Sequence, residues 1–82
     1  MRFLLLGTAA CHLCEEAEEV LQTVSQSLAL EFLVIDIAEQ LELQPRFAIK
    51  IPVLYHEATA SALCWPFSPT DVIHFIAELN HE

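Results

Sequence analysis

The first third of the chain restricts the fold most, because an apolar run is followed at once by a helical pattern. Residues 3–6 are all apolar, which is typical of a strand buried on both faces. Gly7 and Thr8 end this run. The apolar residues that follow recur every three or four positions, and they predict a helix of about four turns. These residues are Leu13, Ala17, Val20, Leu21, Val24 and Leu28.

The middle of the chain predicts a second strand and a second helix. Residues 30–35 are apolar except for Glu31 and include β-branched side chains, as strands often do. Asp36 and Glu39 are spaced like a capping box, so we expect the second helix to begin there. Pro45 is not tolerated deep inside a helix. It therefore either kinks this helix or opens a new turn as its first residue.

The last third predicts a β-hairpin and a final helix. Residues 51–55 and 60–65 form two apolar runs around a turn at residues 56–59. Ser68, Pro69 and Asp71 are a helix cap, a first-position proline and an acid three residues after the cap. The buried stripe of this helix is predicted to be Val72, Ile73, Phe75, Ile76 and Leu79. His81 would lie near its C-terminus, where the helix dipole favours it.

Taken together, the elements run β-α-β-α-β-β-α in a single α/β domain over residues 1–82. The first β-α-β unit predicts a parallel strand pair with a right-handed crossover. The hairpin adds an antiparallel pair, so we expect a four-stranded mixed sheet flanked by helices.

Two cysteines, Cys11 and Cys14, lie where the first strand gives way to the first helix. Residues three apart share one face of a helix, so the two sulfurs can meet as a disulfide or as a reactive dithiol. A Cys-x-x-Cys beside a β-α-β pattern predicts a thioredoxin-like redox motif. The alternative is a pair of unreactive thiols.

Charge and hydropathy exclude several classes of function. The net charge is −9, and the only basic residues besides histidine are Arg2, Arg46 and Lys50. This argues against binding a nucleic-acid backbone or an anionic membrane surface. No apolar run approaches the roughly 20 residues of a membrane span. The apolar run at residues 3–6 is shorter than the roughly 7–15 residues of an export signal, so we expect a cytoplasmic protein.

Three short motifs together resemble a known family. They are Cys11-His12-Leu13-Cys14, Ile51-Pro52-Val53-Leu54 and Trp65-Pro66-Phe67. With the order of elements, they make the chain similar to the small bacterial glutaredoxin-like proteins. The resemblance implies the thioredoxin fold in its minimal, glutaredoxin form. It also implies that Pro52 is a cis-proline lying against the cysteine pair.

The resemblance implies a thiol–disulfide oxidoreductase that needs no bound cofactor. Glutathione as a co-substrate stays open, because Trp65-Pro66-Phe67 stands where glutathione-binding members usually carry a Gly-Gly pair, with an Asp after it. The expected substrate is a disulfide-containing protein or a small thiol compound. The glutathione system or a thioredoxin reductase would return the electrons. We expect a monomer.

Within this interpretation Cys11 is the nucleophile, because a helix N-terminus lowers the pKa of a thiol. Cys14 then resolves the mixed disulfide. Because Cys14 precedes Leu21 by seven residues, on the buried helix face, we expect its sulfur to be the less exposed one. His12, if protonated, would stabilise the thiolate, whereas the glutamates at 15, 16, 18 and 19 oppose this. The acidic surroundings favour a reductase over an oxidant.

The remaining candidate residues form a substrate groove. The backbone at Ile51 and Pro52 is expected to pair with a bound peptide, and Leu13, Trp65 and Phe67 to provide an apolar rim. For the two aromatic residues, packing of the hairpin is the alternative. His12 has the alternative of an exposed turn residue without a catalytic part. The four glutamates have the alternative of a solvated helix face.

Two other classes of function remain open. A redox-inactive module could use the groove at Pro52 to bind a partner protein. Metal binding is the other, either a zinc site or an iron–sulfur cluster shared between two chains. Cys11, His12 and Cys14 supply one ligand cluster and no second cluster repeats its spacing, so we expect no metal site. Cys64 is either a small buried apolar residue or a regulatory thiol.

Overall fold

The order of elements predicted from the sequence is confirmed in a computed structural model, which describes residues 2–79. His81 and its predicted place at the end of the last helix lie outside the described residues. The elements are β1 (Arg2–Gly7), α1 (His12–Ser25), β2 (Glu31–Asp36), α2 (Gln44–Phe47), β3 (Val53–His56), β4 (Ser61–Cys64) and α3 (Pro69–Leu79). They form a four-stranded mixed sheet flanked by helices.

The strands are arranged in the order β2-β1-β3-β4. β1 and β2 are parallel, and Gly7 lies opposite Asp36. β3 is antiparallel to β1, with Leu6 opposite Val53, and β4 is antiparallel to β3, with Val53 opposite Cys64. The carboxyl ends of β1 and β2 and the beginning of β3 therefore lie side by side at the same end of the strands.

The sheet separates two apolar clusters, because successive residues of a strand point to opposite faces. On one face, β1 and β3 pack against helices α1 and α3. This cluster consists of Phe3, Leu5, Ala17, Leu21, Val24, Leu30, Leu54, Phe67 and Val72. On the other face the buried residues are Leu4, Leu6, Ile37, Phe47, Val53 and Tyr55. Cys64 packs against this second cluster, so it lies on the face of the sheet opposite α1.

The second helical segment differs from its prediction. Asp36 does cap a helical turn, since its carboxylate accepts the Ala38 N–H at 2.9 Å, but only a 3₁₀ helix of three residues follows. The chain then leaves helical geometry at Gln40, and α2 begins at Gln44 with Pro45 as its second residue. A continuous helix is excluded because Pro45 has no N–H and its ring would clash with the carbonyl four residues earlier. The alternative of a new turn is thus the right one, with Pro45 one position later than expected.

Within α1 and α3, two residues of the predicted apolar stripes are exposed, and Leu28, after the end of α1, is exposed as well. Leu13 is 46% exposed and Ile73 is 38% exposed. Each lies next to a residue that packs inward, Cys14 and Val72, and neighbouring helix residues point about 100° apart. The face of each helix that packs on the sheet is therefore narrower than the apolar stripe predicted from the sequence. Helix α1 also ends at Ser25, before Leu28.

Among residues 2–79, no helix combines the length and the apolar character that crossing a membrane requires.

Candidate active site

The cysteine motif is positioned by the turn that joins β1 to α1. Ala10 adopts a left-handed backbone conformation, with φ of 58°, and this directs the chain from the sheet edge into the helix. Cys11 follows with an extended backbone and is the residue that caps α1. Its Sγ atom accepts the backbone N–H of Cys14 at 3.1 Å, and its carbonyl accepts the N–H of Glu15 at 3.2 Å. Cys11 is thus fixed at the positive end of the helix dipole.

Cys11 and Cys14 are joined by a disulfide bond, and their Cα atoms are 5.2 Å apart. Both residues are half-buried, so both sulfurs belong to the surface of the protein and not to its core. Because the two fall in the same exposure class, the expectation that Cys14 has the less exposed sulfur stays a prediction.

Gly7 makes room for the second cysteine. A Cβ atom at this position would come within 2.9 Å of the Cys14 Sγ and 3.2 Å of the Cys14 Cβ. No real Cβ approaches a neighbour at 2.9 Å without movement, so any larger residue would push Cys14 away from the sheet. The only glycine of the chain therefore stands where α1 has to lie closest to β1.

Pro52 lies at the same end of the sheet as the cysteine pair. Because β3 is antiparallel to β1 and Leu6 is opposite Val53, Pro52, the residue before β3, is level with Gly7. Pro52 is buried, its peptide bond with Ile51 is cis, and its carbonyl accepts the N–H of Trp65 at 3.0 Å. Among the described residues, Ile51 forms no backbone hydrogen bond, and its side chain is half-buried.

The other three side chains proposed to contact substrate are distributed differently. His12 is 85% exposed and lies 3.3 Å from the carboxylate of Glu16, which is an ion pair when the imidazole is protonated. Leu13 is exposed beside it. Trp65 is half-buried and packs edge-to-face against the buried ring of Phe67, with ring centroids 5.0 Å apart. This contact agrees with the alternative that both aromatic residues pack the hairpin.

A cleft of about 400 Å³ opens beside the disulfide, on the side of β2. Its walls include both cysteines, the carboxylates of Glu15 and Glu18, and Asp36 at the end of β2. Sequence analysis did not assign these acidic residues to the site, although their positions contain the signal. Glu15 and Glu18 each follow a cysteine by four residues, which places them on one helix face. The end of a parallel strand next to β1 brings in Asp36.

The four glutamates of α1 are therefore not one uniform face. Glu15 and Glu18 line the cleft beside the disulfide, whereas Glu16 and Glu19 line a separate depression next to Trp65 and Pro69. In the part of the chain that the structure describes, no group of three His, Cys, Asp or Glu side chains is arranged to hold a metal ion.

Comparison with known proteins places this geometry in context. A family model described as "Glutaredoxin-like domain (DUF836)" matches residues 2–77. The crystal structure of protein XcR50 from X. campestris is 25% identical, with a TM-score of 0.77, and the match covers 93% of this chain and 96% of that one. The solution structure of protein Ne2328 from Nitrosomonas europaea is 29% identical, with a TM-score of 0.76, covering 92% and 88%. Curated protein sequences gave no significant match.

Proposed function

The chain belongs to the glutaredoxin-like (DUF836) family and has its thioredoxin-like fold, and from this premise we propose that it is a dithiol reductase of disulfides. The observation that carries the proposal is the cysteine pair itself. Cys11 caps α1 through its sulfur and is bonded to Cys14 at a half-buried surface position. A purely structural disulfide has no need of a helix N-terminus, whereas a reactive thiolate is stabilised there.

In the reduced protein, the Cys11 thiolate attacks one sulfur of a substrate disulfide. A mixed disulfide forms, and the first substrate sulfur leaves as a thiolate that takes up a proton. The Cys14 thiolate then attacks the Sγ of Cys11, which releases the second substrate thiol and forms the Cys11–Cys14 disulfide. Two electrons pass from the protein dithiol to the substrate. An external thiol reductant, such as glutathione or a thioredoxin reductase system, closes the cycle.

The hydrogen bond from the Cys14 N–H to Cys11 Sγ favours this division of roles. A donor aimed at sulfur stabilises a negative sulfur more than a neutral one, so it favours Cys11 as the nucleophile. The Cys14 Sγ packs against Gly7 of β1, so it is turned toward the sheet. This supports Cys14 as the resolving cysteine.

Substrate binding is proposed for the groove on the other side of the cysteines. Pro52 lies level with Gly7 and Ile51 precedes it, and among the described residues the backbone groups of Ile51 are free to pair with an extended substrate segment. His12 and Leu13, exposed at the start of α1, would contact the substrate next to its sulfur. Trp65 would contribute its exposed edge. A reducing compartment such as the cytoplasm would suit this chemistry.

The test is the redox equilibrium of the cysteine pair. Purified protein is equilibrated in graded ratios of reduced and oxidised glutathione, and each cysteine is then alkylated and quantified by mass spectrometry. We expect a reversible Cys11–Cys14 disulfide, with Cys11 the fastest cysteine to be alkylated in the reduced protein. We also expect a potential below that of the strong periplasmic oxidants, which lie near about −120 mV. A pair that never oxidises, or a Cys11 no faster than Cys64, would favour a redox-inactive binding module instead.

Trapping the intermediate tests the mechanism separately. The variant Cys14→Ser should accumulate a mixed disulfide at Cys11 when it is mixed with a disulfide-bonded peptide, because nothing resolves it. Cys64→Ser is the matched control and should turn over the same peptide like the unmodified protein. Accumulation at Cys64 instead of Cys11 would contradict the assigned roles.

A further inference from the structure

The cleft beside the disulfide has an acidic lining next to the reactive sulfurs. Glu15 and Glu18 of α1 and Asp36 at the end of β2 line this cleft together with the two half-buried cysteines. Among the described residues that line it, no Lys, Arg or His is present. The cleft is also partly apolar, since Val34, which is 56% exposed, forms part of its wall.

The basic residues of the chain lie elsewhere and leave this charge uncompensated. Arg2 begins β1, at the end of the strand opposite Gly7, and Arg46 is stacked on the ring of Phe47, 4.6 Å from its centroid. Lys50 follows α2 and is exposed. With a net charge of −9, the whole molecule adds to the negative potential of the cleft.

We propose that the preferred substrate is a polypeptide disulfide flanked by Lys or Arg, whose cationic side chain enters this cleft while Cys11 attacks the neighbouring sulfur. This inference rests on the proposed reductase function. The aliphatic part of a Lys or Arg side chain covers Val34, and its charged end reaches the carboxylates of Glu18 and Asp36. Oxidised glutathione carries more carboxylates than ammonium groups, so the same cleft repels it. The site selects substrates by charge complementarity, which acts on the rate of encounter as well as on binding.

The chemistry is unchanged by this selection. The reduced dithiol supplies two electrons, the substrate disulfide accepts them, and the products are the Cys11–Cys14 disulfide and two substrate thiols. A single turnover therefore needs no further reductant. This permits a direct comparison of substrates.

The experiment compares two synthetic peptides that share one internal disulfide. One peptide has Lys beside each cysteine and the other has Glu at the same places, and both have blocked termini. Reduced protein is mixed with each peptide in single turnover, quenched with acid and analysed by mass spectrometry. At low ionic strength we expect the Lys peptide to be reduced roughly tenfold faster, since exposed ion pairs contribute small and additive amounts. The ratio should approach one in 1 M NaCl, where the Debye length is about 3 Å.

Two double variants of α1 distinguish the effect of the carboxylates in the cleft from the effect of the net charge of the protein. Glu15→Gln with Glu18→Gln removes two carboxylates from the cleft, whereas Glu16→Gln with Glu19→Gln removes two from the same helix outside it. Both change the net charge equally. The first double variant should lower the Lys-to-Glu ratio by roughly fivefold, and the second should leave it within about twofold of the unmodified protein.

Three results would overturn the proposal. They are equal rates for the two peptides, faster reduction of oxidised glutathione than of the Lys peptide, and equal loss of selectivity in the two double variants. A protein that reduces neither peptide nor oxidised glutathione would refute the proposed reductase function itself. That outcome is distinct, because the first three all require measurable reduction.

Discussion

Helices α1 and α3 begin with the same local geometry, although one carries the cysteine pair and the other carries no cysteine. At the start of α1 the Cys11 Sγ accepts the N–H of Cys14 at 3.1 Å. At the start of α3 the Ser68 Oγ accepts the N–H of Asp71, also at 3.1 Å. In both helices the capping residue and its partner are three positions apart, which is the spacing of a capping box.

The two helix starts differ in what the third residue does with its side chain. In α3 the Asp71 carboxylate reaches back and accepts the N–H of Ser68 at 2.9 Å, which closes the box. In α1 the Cys14 side chain is bonded to Cys11 instead, and among the described residues no side chain returns to the Cys11 amide. The Cys-x-x-Cys spacing is thus a capping geometry in which sulfur, a weak acceptor, replaces oxygen. One arrangement stabilises a helix, and the other holds a sulfur where it can react.

The largest effect is expected when the α1 start is made chemically like the α3 start. Cys11→Ser replaces the sulfur cap by a hydroxyl, which is a preferred helix cap. Reduction of a peptide disulfide should fall below detection, because no nucleophile remains. The free energy of unfolding in urea, compared with that of the reduced unmodified protein, should stay equal or rise. A variant that retains activity, or one that loses more than about 1 kcal/mol of stability, would contradict the equivalence of the two caps.

The second largest effect is expected on stability, at the contact between the start of α1 and the sheet. The exposed start of α3 makes no such contact. Gly7→Ala places a Cβ 2.9 Å from the Cys14 Sγ. We expect overpacking to cost about 1–3 kcal/mol of the free energy of unfolding. The cost should be smaller in the reduced protein, where the Cys14 side chain is free to rotate. Urea unfolding with and without a reductant measures both, and equal losses in the two states would contradict this reasoning.

A smaller effect is expected at the start of α3. Ser68→Ala removes the acceptor for the Asp71 N–H, and such a loss typically costs about 1 kcal/mol of stability. Single-turnover reduction of the peptide disulfide should be unchanged, since the change is confined to the non-reactive helix start. Thr at the same position keeps a hydroxyl and is the matched control. A change in the reduction rate of the Ala variant would show that the two helix starts are coupled.

The smallest effect is a dependence on pH. The backbone N–H of Ser68, and then its hydroxyl, hold the pKa of Asp71 below its ordinary value. The ionised carboxylate therefore stabilises the folded protein above the unfolded pKa of about 3.9, and this contribution is lost as the pH falls through the lower, folded pKa. The stability difference between the unmodified protein and Asp71→Asn should shrink as the pH is lowered from about 5 to below 3. Urea unfolding across this range measures it, and a constant difference would contradict the closed box.

The elements with strong periodicity were predictable from the sequence, and those interrupted by proline were not. The apolar run of β1 and the cap at Ser68 leave little choice of secondary structure. The segment between Asp36 and Phe47 offers both a helix start and a proline that forbids the helix. The sequence pattern alone could not predict where one helical segment ends and the next begins. This depends on which turn allows Phe47 to pack against the sheet.

The position of the cysteine pair was predictable from the sequence, and the residues around it were less so. The cysteine spacing is local and can be recognised directly. The acidic cleft requires the parallel register of β1 and β2, which brings Asp36 next to α1 although the two are distant in sequence. The rotation of α1 about its own axis decides that Glu15 lines the cleft and Glu16 does not. The apolar pattern predicted this rotation only approximately, since Leu13 proved exposed and Cys14 faces the sheet.

Cys64 lies on the far face of the sheet from the cysteine pair, and this has a kinetic consequence. Cys64 packs against the apolar cluster on the face opposite α1, whereas Cys11 and Cys14 lie at the start of α1. Direct exchange between Cys64 and a mixed disulfide at Cys11 is therefore disfavoured, because the two sites are on different faces of the sheet. The sheet therefore keeps Cys64 and the cysteine pair apart within one small molecule. We expect a mixed disulfide formed at Cys11 under the proposed mechanism to be released by Cys14 or by a thiol from solution. We likewise expect a disulfide of Cys64 to join two molecules.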